Sequence, residues 1–170
     1  GRFVFVTGAG NEGDSGGHAR PVIVPGRIAE VRLSVGNYET GFGVQIWKNY
    51  EDGMRIFLRD PSGDAEFELL PIRGTDRIGE TELLIYYGEP SPFNAAQEIY
   101  IEFVPEQAYV ESGIWIFRFL GKGREDTYVD LWLPSSAALG QNTAFLEPSP
   151  ETTLTIPSTA FRPLTVGAHD

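Results

Sequence analysis

The residues best suited to chemistry are concentrated at the start of the chain. Glycines recur through Gly8–Gly13, and a glycine-rich turn after a strand can present backbone N–H groups to a phosphate. Ser15 precedes His18 by three residues, and these are the residue types of a nucleophile and its general base. The side-chain amide of Asn11 could donate a hydrogen bond to a negative charge that develops in a transition state. These chemistries exclude one another, so the surrounding sequence must decide among them.

The glycine run fits the dinucleotide-binding pattern G-x-G-x-x-G, and the apolar residues 3–6 before it are typical of a buried parallel strand. A dinucleotide site also requires a helix that begins at the glycines, so that its amide N–H groups face the pyrophosphate. Residues 14–25 are interrupted by glycine and proline and show no helical periodicity. We therefore predict no nucleotide, and no other cofactor.

Residues 13–17, G-D-S-G-G, reproduce the nucleophile motif of chymotrypsin-like proteases. In that family the base and its orienting aspartate precede the serine, whereas only fourteen residues precede Ser15 and none is a histidine. A local pair of Ser15 and His18 would need a rigid frame and an oxyanion hole, which a glycine-rich loop does not supply. The sequence instead predicts a flexible surface turn in which His18 is solvated.

Two segments at the ends of the chain resemble the catalytic core of subtilisin-like serine proteases, peptidase family S8. They are V-T-G-A-G-N-E-G at residues 6–13 and L-T-V-G-A-H-D at residues 164–170. An ordinary subtilisin has only a short loop between these segments, whereas here a whole domain separates them. The resemblance implies that residues 1–13 and 161–170 belong to a catalytic core, where they form neighbouring parallel strands. Residues 14–160 would then be an inserted domain.

The resemblance gives Asn11 a role in the oxyanion hole of the parent enzyme, where the family's asparagine donates a hydrogen bond to the tetrahedral intermediate. From the residue type alone, Asn11 could equally occupy a turn that needs unusual backbone angles. The family's nucleophile and base contexts are absent, and neither His18 nor His169 stands in the context of its catalytic histidine. The chain alone is therefore predicted to be inactive, and the parent is either a serine endopeptidase or an inactive relative.

Within the family, the chain resembles the clostridial spore-germination group, in which a jelly-roll domain interrupts the catalytic domain. Residues 10–19, 129–134 and 152–160 carry this resemblance. The implied partners are the rest of the parent catalytic domain and the protein or peptide substrate of the parent. The insert is expected to pack on the catalytic domain and rigidify it. The apolar end segments also predict either self-association through the terminal strands or fraying of these strands, because strands removed from their neighbours leave backbone groups unpaired.

Between the end segments the hydrophobic pattern has a period of two. Apolar and polar residues alternate in eight stretches separated by turn signals such as Gly121–Gly123, which is typical of strands with one buried face. We predict an all-β fold, a jelly-roll-like antiparallel β-sandwich, with a helical turn only around residues 135–139. The predicted core residues are Ala29, Val31, Leu33 and Val35; Val44 and Ile46; Met54, Ile56 and Leu58; Phe67 and Leu69; Leu83, Ile85 and Tyr87; Ile99, Ile101 and Phe103; Trp115, Phe117 and Phe119; and Val129, Leu131 and Leu133.

Composition excludes several kinds of partner. The 170 residues fit a single domain, and their net charge of -11 repels phosphate backbones and anionic lipids. No apolar run is long enough to cross a bilayer. The chain has no cysteine, which removes disulfides and thiolate metal sites. We therefore predict neither a nucleic-acid nor a membrane partner.

A carbohydrate-binding module is the alternative function. Aromatic rings beside carboxylates can bind sugars, and Tyr86 and Trp132 point away from the core residues of their strands. Aromatic residues are also common in strands for packing reasons alone. The candidate rings are Trp47, Tyr50, Tyr86, Tyr87 and Trp132, and the candidate acids are Glu51, Asp52 and Asp130.

Residues 60–64, D-P-S-G-D, have a carboxylate spacing that a Ca²⁺ loop could use. They lack the alternating oxygen ligands and the terminal glutamate of an EF-hand. We therefore predict a plain β-turn, and no metal site.

Overall fold

The computed structural model describes residues 6–8, 16–71, 74–89, 95–134, 138–140, 142–149 and 164–166. These residues are almost entirely in strands, turns and extended segments. The strands are β1 (Val6–Gly8), β2 (His18–Ala19), β3 (Val22–Ile23), β4 (Ile28–Val35), β5 (Phe42–Asn49), β6 (Met54–Arg59), β7 (Glu66–Leu69), β8 (Gly74–Ile78), β9 (Thr81–Tyr87), β10 (Ala96–Pro105), β11 (Gly113–Gly121), β12 (Thr127–Tyr128), β13 (Asp130–Trp132), β14 (Ala144–Phe145) and β15 (Leu164–Val166).

Two antiparallel sheets form the body of the fold. The six-stranded sheet has the order β2-β13-β5-β10-β9-β8, and the five-stranded sheet has the order β14-β4-β11-β6-β7. Within them, β2-β13-β5-β10 and β4-β11-β6-β7 have the strand order of a jelly roll, to which the β8-β9 hairpin and β14 add edge strands. The prediction of an all-β, jelly-roll-like sandwich is confirmed.

The core lies between the two sheets and follows from the alternation of apolar residues. Residues such as Leu33 on β4 and Ile101 on β10 are completely buried, while their neighbours in sequence face outward. Phe103 meets Trp115 of the opposite sheet edge to face, with ring centroids 5.2 Å apart. The indole Nε1 of Trp115 donates to the carbonyl oxygen of Glu111 at 2.9 Å, so the polar atom of this buried ring is satisfied.

Each of the eight predicted apolar stretches contains a strand, but the sequence pattern missed β8. Four of its five residues are exposed and only Ile78 is buried, so this edge strand carries no alternating apolar signal. The two-residue strands β2, β3, β12 and β14 were missed for a related reason, since they are too short to show a period. Residues 135–137 of the predicted helical turn lie outside the described residues.

The two end segments lie side by side, as the resemblance implied. β1 pairs with β15 in parallel, with Val6 opposite Leu164, Thr7 opposite Thr165 and Gly8 opposite Val166. The flanking residues 9–15 and 167–170 lie outside the described part of the chain. Among the residues that are described, no helix has the length and apolar character needed to cross a membrane.

The turn at residues 60–64 is closed by its own polar groups. The backbone N–H of Gly63 donates to the carbonyl oxygen of Asp60, and the Asp60 carboxylate accepts from Ser62 Oγ and from the Ala65 N–H. Burial raises the pKa of Asp60, but these hydrogen bonds outweigh it, so the pKa lies below its ordinary value. The β-turn prediction is confirmed, and the carboxylate is committed to the turn.

Truncation of the core should be costly in a position-dependent way. Phe117 is fully buried on β11, and Phe117→Ala should lower the free energy of unfolding by about 3–5 kcal/mol through lost burial and a residual cavity. Ile114 lies on the same strand but is 36% exposed, so Ile114→Ala should cost less than about 1 kcal/mol. Urea denaturation checks both values, and equal losses would contradict the assigned faces of β11.

Candidate functional site

A cluster of polar side chains occupies one edge of the six-stranded sheet. β2 pairs antiparallel with β13, which sets His18 opposite Trp132 and brings Arg20 next to Asp130. Ser149, further along the chain, reaches the same place. We call His18, Arg20, Asp130, Trp132 and Ser149 the His18 cluster.

Hydrogen bonds hold the cluster from several directions. His18 Nε2 lies 2.7 Å from Asp130 Oδ1, and His18 Nδ1 lies 3.2 Å from the carbonyl oxygen of Ser149. Arg20 binds the same carboxylate with two groups, since Nε donates to Oδ1 at 2.7 Å and one terminal nitrogen donates to Oδ2 at 2.9 Å. Such bidentate guanidinium–carboxylate pairs are both strong and geometrically specific.

The partners of His18 engage both nitrogens of its ring. A carboxylate and a backbone carbonyl oxygen are both acceptors, so each partner is suited to an N–H of the ring. The guanidinium of Arg20 binds the same carboxylate, so Asp130 is held by two neighbouring side chains.

The pKa of Asp130 reflects this environment. Burial raises it, because a carboxylate loses hydration inside the protein, but hydrogen bonds from His18 and Arg20 and their charges act in the opposite direction and prevail. The net result is a pKa below the ordinary value of an aspartate. Asp130 therefore remains a carboxylate well into the acidic range.

Aromatic rings cover the cluster. The imidazole of His18 stacks on the indole of Trp132, with ring centroids 3.9 Å apart and planes inclined by 13°. The guanidinium of Arg20 lies 4.4 Å from the centre of the Tyr128 ring, within the range of a cation–π contact. The stacked indole shields one face of the His18 ring from water, which strengthens the bonds of this ring to Asp130 and Ser149.

The backbone around His18 joins the beginning of the sandwich to its end. The N–H of Ser149 donates to the carbonyl oxygen of His18, and the N–H of Phe145 donates to that of Gly16. The N–H of Leu133 donates to the carbonyl oxygen of Gly17. Residues 16–18 are therefore held by β13 on one side and by residues 145–149 on the other.

The prediction of a solvated His18 on a flexible turn is wrong. The side chain belongs to a strand and is buried, with 3% residue exposure. The local glycine-rich sequence suggested mobility, but pairing with β13 and coverage by Ser149 override it. Because both ring nitrogens are engaged, His18 has no free nitrogen to accept a proton as a general base.

Of the other predicted site residues, the candidate acid Asp130 and the candidate ring Trp132 belong to the His18 cluster. Asn11, Ser15 and His169 lie outside the described residues. Asp52 lies in the turn after β5 and accepts a hydrogen bond from Thr127 Oγ1 of β12. Glu51 in the same turn is exposed.

The ammonium group of Lys48 closes this turn from within. It donates to the carbonyl oxygens of Asn49, Tyr50 and Asp52 at 2.9, 3.3 and 2.9 Å. Burial lowers the pKa of Lys48, with partial compensation by Asp52. The turn that carries Tyr50, Glu51 and Asp52 is thus held by a structural cation.

The candidate rings of the sequence divide between the two faces of the six-stranded sheet. Tyr87 turns inward, where its hydroxyl donates to the carbonyl oxygen of Leu69 at 2.9 Å and burial raises its pKa to about 12. Trp47, Trp132 and Tyr86 share the outer face. Tyr100 stands among them and was missed by the sequence reasoning, although its alternation with the buried Ile99 and Ile101 was visible.

The fold and the His18 cluster define the chain as a jelly-roll β-sandwich domain whose two ends are tied together and continue into a pair of parallel strands. A scan against protein-family models finds no match, and neither does a search of curated proteins. Among solved structures, the chain is similar to the CspB protease of Clostridium perfringens, with a TM-score of 0.82 and 27% sequence identity. The match covers 98% of this chain but only 35% of that one. This similarity relates the domain to subtilisin-like proteases.

The stability of the protein should depend on pH through Asp130. Because its folded-state pKa is lowered, its contribution to stability is complete above the unfolded-state pKa of about 3.9 and is lost as the pH falls through the folded-state value. Asp130→Asn should therefore reduce stability near neutral pH and flatten the acid limb of a plot of unfolding free energy against pH. Asp126→Asn, at an exposed position nearby, is the matched control and should leave the curve unchanged. An unaltered acid limb in Asp130→Asn would contradict the assignment.

Proposed function

We propose that the chain is a β-sandwich domain inserted into the catalytic domain of a subtilisin-like serine endopeptidase, where it packs on that domain and rigidifies it. The similarity to the CspB protease supports this proposal, because nearly the whole chain matches about a third of a protease chain. Because the match covers 98% of this chain, it extends into both end segments that resemble the subtilisin core.

The geometry of the two ends supports the insertion. β1 and β15 are adjacent and parallel, and a domain that leaves its host at two neighbouring points can be inserted without distorting it. A pair of three-residue strands is too small to be stable alone. In the proposed arrangement the host sheet supplies their missing neighbours.

The His18 cluster supports the rigidifying role. His18 follows Asn11 by seven residues, and the segment 16–18 is tied to β13 and to residues 145–149. In the proposed enzyme, these bonds limit the movement of the loop that carries Asn11. An oxyanion-hole donor acts only when it is placed close to the developing charge, so a small displacement weakens transition-state stabilisation. The nucleophile and base come from the host.

The proposed role of Asn11 is testable in the longer protein that the proposal implies. That protein should carry the family's aspartate and histidine motifs before residue 1 and its serine motif after residue 170. Asn11→Ala should lower its kcat for a peptide substrate by a factor of about 10²–10³, the magnitude of an oxyanion-hole donor in a subtilisin. The 170-residue chain alone should show no turnover. Flanking sequence without those motifs, or an unchanged kcat, would refute the proposal.

The rigidifying role makes a separate prediction about His18. In the same enzyme, His18→Ala should loosen the segment that leads to Asn11 and lower kcat about tenfold, equivalent to about 1.4 kcal/mol, with little change in KM. Leu58→Ala also removes a buried side chain, but on β6 of the other sheet. At a temperature where both variants remain folded, Leu58→Ala should retain kcat. Equal losses in the two variants would show that His18 acts only through general stability.

A further inference from the structure

The outer face of the six-stranded sheet presents three aromatic side chains and one glutamine in register across four strands. Trp132 on β13 lies opposite Gln45 on β5, and Gln45 lies opposite Tyr100 on β10. Tyr100 in turn lies opposite Tyr86 on β9. Because neighbouring strands are about 4.8 Å apart, the row is about 14 Å long. We call Trp132, Gln45, Tyr100 and Tyr86 the aromatic row.

A glycine on the adjacent strand creates the space for the central ring. A Cβ atom on Gly43 would overlap the outer part of the Tyr100 ring, so this ring leans across β5 and covers the glycine backbone. Tyr100 is only partly buried, and the rest of the ring is accessible. Tyr86 beside it is 37% exposed. The sheet therefore offers two neighbouring aromatic surfaces to a ligand.

Hydrogen-bonding groups stand on both sides of Tyr100. Glu98 and Glu102 flank it on β10 and face the same way. Gln45 Nε2 donates to Glu98 Oε1 at 3.0 Å, which fixes that carboxylate. Burial raises the pKa of Tyr100, and the charges of Glu102 and Glu98 raise it further, so the phenol keeps its proton at neutral pH and can donate.

The charges of this face restrict the ligand. None of the residues that β5, β9 and β10 direct outward is a lysine or an arginine. The outward charges of these three strands are all carboxylates, which repel anionic polymers, whereas Arg20 beside β13 and Arg77 on β8 lie toward the two edges of the sheet. The central strands thus favour a ligand without negative charge.

The mixture of rings and carboxylates favours a hydroxylated ligand over a protein surface. Glutamate is depleted from the centres of protein–protein interfaces, because its charge must be desolvated there. Sugar hydroxyls would instead donate to Glu98 and Glu102, while the C–H faces of sugar rings would contact Tyr86 and Tyr100. An open, shallow hollow of about 380 Å³ lies at these tyrosines, bordered also by Thr75, Leu84 and Glu102.

We propose that the aromatic row binds a neutral, β-linked polysaccharide, with sugar rings stacked on Tyr100 and Tyr86 and hydroxyl groups bonded to Glu98 and Glu102. In β-linked glucose, xylose or N-acetylglucosamine units the ring substituents and the glycosidic bond are equatorial. C–H groups are therefore left on both faces of each ring to contact an aromatic surface, and the chain is extended along the row. This proposal is independent of the protease insertion, because Tyr86, Tyr100, Glu98 and Glu102 lie outside the His18 cluster.

Calorimetric titration of the protein with cellohexaose, xylohexaose and N-acetylchitohexaose tests the proposal. At least one of these neutral oligosaccharides should bind saturably, with an affinity that high salt does not reduce. Tyr100→Ala should weaken binding about tenfold or more through loss of the stacking surface. Tyr100→Phe should retain most of the affinity, because the ring remains.

Two further variants separate the row from general effects. Gly43→Ala should weaken binding like Tyr100→Ala, because the added methyl group displaces the Tyr100 ring. If thermal unfolding shows that Gly43→Ala does not fold, Tyr86→Ala at its more exposed position serves instead. Tyr109→Ala is the matched control, since Tyr109 is an exposed tyrosine in the loop between β10 and β11 that contacts Tyr38.

The proposal is overturned if none of the three oligosaccharides binds, or if the row variants bind as tightly as the Tyr109→Ala control. A lysine-rich peptide is titrated in parallel. The peptide could bind in a way that high salt abolishes, while none of the sugars binds. That result would assign the face to a basic protein segment and would also overturn the proposal. None of these measurements involves proteolysis, so failure of the sugar-binding proposal is distinguishable from failure of the proposed insertion.

Discussion

Burial of one face of each sheet against the other is the interaction on which the rest of this structure depends. Leu33, Phe117 and their neighbours in one sheet exclude water together with Ile101, Phe103 and Val44 in the other. Because strand residues alternate between faces, this packing also determines which side chains point outward. His18, Asp130 and Trp132 of the His18 cluster lie, like the aromatic row, on the outer side of the six-stranded sheet.

The His18 cluster closes the edge of that sheet with charges rather than apolar side chains. β2 is an edge strand of only two residues, so backbone pairing alone would hold it weakly. His18 and Arg20 add bonds to one carboxylate on β13, and Ser149 binds His18 through both its N–H and its carbonyl oxygen. A half-buried carboxylate is costly unless donors surround it. The cluster meets this requirement with donors from His18 and Arg20, which lie more than a hundred residues before Asp130 in the chain.

Trp132 connects the two outer-face features. One face of its indole stacks on His18, and its position opposite Gln45 begins the aromatic row. The part of the domain that joins its two ends is therefore continuous with the surface that we propose for sugar binding. The jelly roll permits this because β13 lies between β2 and β5, so one short strand contributes to both.

The sequence alone determined the features that depend on local alternation and on the resemblance of the end segments. Period-two patterning identified the sandwich and its core, and it placed Trp132 and Tyr86 on the outer face. The end segments predicted two adjacent parallel strands, and the residues at 60–64 predicted a turn that uses its own polar atoms. Each of these inferences needs only neighbouring residues or a recognisable segment.

Only the tertiary structure decided the environment of His18, the strand β8 and the position of Tyr100. The partners of His18 lie 112 and 131 residues away, and no local pattern states which strand will be its neighbour. β8 is polar and exposed, so it is a strand because β9 pairs with it rather than because of its own sequence. Tyr100 could be seen to face outward, but its approach to Gly43 depends on the register between β5 and β10. Alternation determines which face of the sheet each residue occupies, whereas its neighbour on the adjacent strand is set by the packing of the whole domain.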